Sequence, residues 1–100
     1  MKLYAIRDNK ADFFLPILEA SNDMHAERIV ADTIARGQME LAQHPQDYDL
    51  FCLGEYDNQS GEIQSDLPQH VTSITALMEK FFKRPEQQDI EDPVDQNEVT

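Results

Sequence analysis

The sequence predicts an α+β domain in which a small, mainly antiparallel sheet is covered by two helices and followed by a disordered acidic tail. Three observations predict it. Residues 2–7 and 48–56 read as extended runs. Residues 23–36 and 67–83 repeat apolar side chains at helical spacing. Residues 85–100 hold six acids and no base, with two prolines and little apolar content, and cannot bury enough to offset their ordering entropy. One hundred residues make one domain at most, here residues 1–84.

In chain order, Tyr4 and Ile6 lie on one face of the first strand and Leu3 and Ala5 on the other, because side chains alternate along a strand. Asp8 to Lys10 make a polar break. Phe13 to Leu18 is a short strand or an extended loop, since Pro16 denies a ladder donor and biases Leu15 to extended geometry. Ser21, Asn22 and Asp23 are alternative N-caps for the first helix, along which Ile29, Val30, Thr33 and Ile34 recur, and Arg36-Gly37 is a suitable end. Gln38 to Gln43 is a further helical turn or a loop, and Pro45 stops it.

The run from Tyr48 is a strand delivered into a hairpin. Tyr48, Leu50 and Cys52 share one face and Phe51 and Leu53 the other, which predicts a central strand covered on both sides. Asp57 to Gly61 supply turn residues. Asp66 is then expected to cap a second helix, with Pro68 in its first turn and a stripe of Leu67, Val71, Ile74, Met78 and Phe82 running to about Lys83. Ferredoxin-like order is one arrangement among several for these elements.

The search for chemistry returns few leads. His25, His44 and His70 stand apart, and the single cysteine, Cys52, excludes an intramolecular disulfide and a cysteine-based zinc site. Asp49, Glu55 and Asp57 read as a solvated strand face and turn caps. No P-loop, glycine-rich nucleotide fingerprint or nucleophile elbow is present. The expectation is therefore no catalytic residue, no metal, no cofactor and no enzyme activity. No run is long and apolar enough for a membrane helix, and the N-terminus is a poor secretory signal.

Charge argues against simple phosphate gripping. Twenty acids against eight bases give a net −12, half of it in the last sixteen residues. Two features still support binding. Lys2, Arg7 and Lys10, with Tyr48 and Tyr56, form a candidate nucleic-acid surface of cations interleaved with rings. Met78, Phe81 and Phe82, at the end of the last helix, form a candidate protein interface or homodimer seam.

The block His44-Pro-Gln-Asp-Tyr-Asp-Leu-Phe-Cys-Leu-Gly-Glu-Tyr-Asp-Asn-Gln-Ser-Gly-Glu-Ile63 resembles the signature of a small nonstructural protein of gokushovirus-type microviruses, tailless phages with single-stranded DNA. The opening Met1-Lys-Leu-Tyr-Ala-Ile-Arg-Asp-Asn-Lys-Ala11 is similar too, as is the segment Phe14 to Pro16, so the likeness covers about residues 1–63. The resemblance implies a replication-stage protein of the host bacterial cytoplasm, assigned to single-stranded DNA synthesis and sometimes labelled DNA-binding. Together with the acidic balance, it makes docking on the phage replication initiator or host replication proteins the first expectation. Direct binding of single-stranded DNA, with the acidic tail competing for the same surface, is the second. A scaffolding or assembly factor is the third.

Overall fold

The computed structural model describes residues 1–37 and 39–82. The acidic tail expected over residues 85–100, with the end of the domain at 83–84, lies outside the described residues. Among the described residues, five strands form one antiparallel sheet: β1 Lys2–Asp8, β2 Phe13–Phe14, β3 Leu18–Ala20, β4 Tyr48–Tyr56 and β5 Ile63–Ser73. The order across the sheet is β2-β1-β4-β5, with β3 pairing farther along the same edge of β1 as β2. The α-helices are α1 Asp23–Ala35, α2 Met39–Gln43 and α3 Ile74–Phe81, and Pro45–Asp47 adds a 3₁₀ turn. The arrangement is α+β as expected. It is not the ferredoxin-like order, because β4 returns antiparallel directly beside β1.

Local chemistry accounts for most boundaries. Asn22 is the N-cap of α1 and accepts the His25 amide on its side chain at 2.8 Å. Gly37, at φ 113°, takes the left-handed geometry that ends the helix. Pro16 splits the expected Phe13–Leu18 run into β2 and β3. The residues after Gln38 take the helical option, as α2. Asp57 closes the β4–β5 turn: its carboxylate accepts the amides of Gln59 and Ser60, and its carbonyl accepts the Gly61 amide at 2.7 Å. Those amide donors hold the Asp57 carboxyl below the usual carboxylate range.

The expected helix from Asp66 is the main correction. Residues 63–73 are strand, and the helix begins only at Ile74, with the Ser73 hydroxyl accepting the Ala76 amide at 3.0 Å. Once the Asp57–Gly61 turn has set the register, pairing with β4 continues to Ser73, and the β-branched pair Val71-Thr72 suits a strand. The apolar stripe is genuine only from Ile74 onward, where Ile74 and Leu77 are buried; Leu67 is 86% exposed. Asp66, Leu67 and Pro68 form a bulge opposite Leu53, so the proline falls where no ladder donor is needed.

The core lies on one face of the sheet. Tyr4 and Ile6 of β1 and Tyr48 and Leu50 of β4 pack against Ala26, Val30, Ala31 and Ile34 of α1 and Ile74 and Leu77 of α3. The Tyr4 hydroxyl donates to Asp23 Oδ1 at 2.6 Å and ties β1 to the start of α1. Lys80 Nζ meets Glu27 Oε1 at 2.9 Å and links α3 to α1. β4 is central in the sheet, as expected, but the other half of that expectation fails. All the helices that pack on the core do so from one side, and no described helix covers the face that carries Phe51.

Candidate nucleic-acid interface

Strand alternation builds the uncovered face. With Tyr4 and Ile6 directed into the core, β1 presents Leu3, Ala5 and Arg7 on the other side. Register then aligns neighbours: Arg7 stands opposite Phe14 of β2 and Asp49 of β4, and Ala5 stands opposite Phe51, which in turn stands opposite His70 of β5. Three rings form a row. Phe14 and Phe51 have centroids 5.7 Å apart at 78°, and Phe51 and His70 are 5.5 Å apart at 83°, both edge-to-face. The ends of the row are open to solvent, with Phe14 37% exposed and the His70 side chain 54% exposed, while Phe51 between them is half-buried.

Polar groups frame the rings. The Arg7 guanidinium lies 5.4 Å from the Phe14 centroid, a cation–π contact, and also pairs with Asp12. Asp12 is held at φ 68° by the tight turn after β1, in which Asp8 Oδ1 accepts the amides of Lys10 and Ala11. The Asp49 carboxylate accepts from His70 Nε2 at 2.9 Å and from Asn9 Nδ2 at 2.6 Å. Asn9 is itself anchored by its backbone amide to the Asp47 carbonyl at 2.9 Å. Both polar residues beside Phe51 are therefore fixed in orientation.

The residues singled out from sequence are only partly gathered here. Arg7 is on this face and Lys10 is in the turn at its rim. Lys2 is opposite Glu55, toward the far end of β1. Tyr48 is a correction: it is buried on the core face and cannot stack on a base, and burial first, then Asp8, Glu40 and Asp47, push its phenol up. Tyr56 is half-buried beside the chain start, its amide bonded to the Met1 carbonyl. Leu53 is skipped in both β4 ladders, so alternation changes phase there and Glu55 does not share the face of Asp49. At the end of α3, Met78 and Phe81 are half-buried against the core and Phe82 is exposed.

Sequence reasoning missed Phe14, His70 and the role of Phe51. Alternation sets Phe51 on the face opposite Tyr48 and Leu50, a face expected to be covered as well, and Phe14 and His70 join it only through strand register. His70 falls within the helix expected from Asp66 but lies in β5.

Among the described residues no helix is long and apolar enough to cross a membrane, and no group of three or more His, Cys, Asp or Glu could hold a metal ion. Cys52 is a half-buried free thiol packed against the core. No curated protein and no solved structure matches the chain. A family model described as "Phage ORF5 protein" matches residues 1–77, a span that takes in the whole aromatic row and stops before Phe81 and Phe82, and the chain belongs to that phage protein family.

Proposed function

We propose that the chain is a noncatalytic single-stranded-DNA-binding protein of phage DNA replication, acting in the host cytoplasm while single-stranded genomes are made. The observation that carries this reading is the row Phe14, Phe51 and His70, half-buried at Phe51 and exposed at both ends, on a sheet face that no described helix covers. Every base has a π-face, so a row of rings binds unpaired bases without reading sequence, while duplex DNA keeps its bases stacked inside. The acidic balance is compatible with this because stacking, unlike phosphate neutralisation, needs few cations. Arg7 is the cation beside the ring row, where it also pairs with Asp12, and one phosphate contact gives a salt slope of only about −0.7.

The test is fluorescence anisotropy with labelled single- and double-stranded oligonucleotides at low and moderate salt. The expected result is a preference for single strands that Phe51→Ala weakens by about 5- to 140-fold, the loss of one stacked base. Equal binding to both forms, or no binding at low salt, overturns the reading.

A second reading, docking on the phage replication initiator or host replication proteins, is favoured by a different observation. Phe13 and Ile17 at the β2–β3 edge and Phe82 after α3 are exposed large apolar side chains on an acidic protein. Failure of the protein to co-purify with any replication protein from infected cells removes it.

A further inference from the structure

The uncovered face holds one polar group that stacking alone does not require, the Asp49 carboxylate. Asp49 precedes Phe51 by two residues on β4, so the two side chains rise from the same face about 7 Å apart. The carboxylate has a fixed aim: Oδ1 accepts from His70 Nε2 at 2.9 Å and Oδ2 from Asn9 Nδ2 at 2.6 Å. Each oxygen keeps a further lone pair, and the side chain is 23% exposed, so it can accept one more donor from the solvent side. An ionised carboxylate accepts and never donates.

We infer that Asp49 makes this surface discriminate between pyrimidines, favouring cytosine over thymine; the inference rests on the single-stranded-DNA reading above. A base stacked on Phe51 turns one edge toward Asp49. Cytosine offers its N4 amino group there, the donor that Asp and Glu accept in base recognition. Thymine presents the O4 carbonyl at the same position, which sets acceptor against acceptor and leaves a desolvated carboxylate lone pair unmatched. Asn9 adds to the contrast: it is held against Asp49 and has a second amide hydrogen for the N3 or O2 acceptors of cytosine. A platform that used stacking alone would treat the two pyrimidines alike.

The experiment compares labelled oligo(dC) and oligo(dT) of equal length, at mildly alkaline pH where cytosine is unprotonated, against the full chain and Asp49→Asn. Asparagine keeps the size of the side chain and an oxygen for the His70 bond, and circular dichroism checks that the fold is intact. The expected result is oligo(dC) bound about fivefold or more tighter by the wild-type chain, falling to within about twofold in Asp49→Asn. Parity or a thymine preference in the wild-type chain overturns the inference while leaving DNA binding in place. A cytosine preference that survives Asp49→Asn also overturns it, by assigning the preference elsewhere. Absence of binding to both oligonucleotides defeats the DNA-binding reading itself, and this inference with it.

Discussion

Phe14 and Phe51 belong to strands that do not pair with each other, yet their rings meet across β1 with centroids 5.7 Å apart. The residue between them makes this possible. Ala5 is the cross-strand partner of Phe51, and Arg7, two residues on, is that of Phe14; Ala5 is fully buried, and its short side chain leaves the Phe51 ring room to lean toward Phe14. Strands two apart are separated by about 9.6 Å, and only a small side chain on the middle strand lets rings lean together over that gap.

Ala5→Leu should therefore push the rings apart. The expected stability loss is about 1–3 kcal/mol from overpacking, read by urea denaturation. Anisotropy should show weaker single-strand binding in the same variant. Ala5→Gly, which leaves the space open, should keep the binding. If Ala5→Leu binds like the wild-type chain, contact between the rings is not what the surface uses.

Leu50 and Phe51 are adjacent in sequence and opposite in fate. Leu50 is fully buried among the core residues, and Phe51 is half-buried on the uncovered face. Leu50→Ala should cost about 2–5 kcal/mol, the price of a core cavity. Phe51→Ala should cost less, while taking the larger share of any DNA affinity. Equal stability losses would mean that something covers the Phe51 face in solution.

Gly54 marks the other constrained point of β4. A Cβ at this position would collide with the Gln64 carbonyl oxygen and press on Ser65 Cα at 3.0 Å, both of them backbone. Nothing there can rotate away. Gly54→Ala should force the outer β4–β5 pairing to shift, costing about 1–3 kcal/mol and loosening the hairpin first. Hydrogen exchange checks this: amides of the outer hairpin should lose protection before those of β1. Uniform loss of protection would contradict the local account.

How much of this was legible in the sequence depends on the range of the interaction that decides each feature. Asn22, Gly37 and the Asp57–Gly61 turn act through bonds within a few residues, and those boundaries were readable. The start of α3 was not, because Leu67 and Val71 fit a helical stripe as well as they fit a strand, and only pairing with β4 decides between them. Tyr48 is among the candidate stacking rings, yet it shares its strand face with Leu50 and Cys52, and the helices pack on that face. His70 was the least legible. It enters the aromatic row through two successive register relationships, Ala5 with Phe51 and Phe51 with His70, that no local pattern encodes.

The buried tyrosines give the fold a predictable alkaline limit. Burial, then the hydrogen bond to Asp23 and the charges of Asp23 and Cys52, hold the Tyr4 phenol well above its ordinary range; burial and nearby carboxylates raise Tyr48 as well. In the unfolded chain both titrate at about 10. Below that pH both states bind the phenolic protons and the contribution of these groups to stability is fully present. Above it the unfolded state loses protons that the folded state keeps, so stability falls as pH rises toward the folded values. Phenolate absorbance followed beside circular dichroism should show the Tyr4 and Tyr48 signal appearing only with loss of the fold. Tyr4→Phe removes the hydrogen bond to Asp23 and one of these phenols, and should narrow the alkaline loss of stability while lowering stability at neutral pH. Ionisation of all three tyrosines of the chain with circular dichroism unchanged would show that Tyr4 and Tyr48 are reached by solvent without unfolding, and would contradict their place in the core.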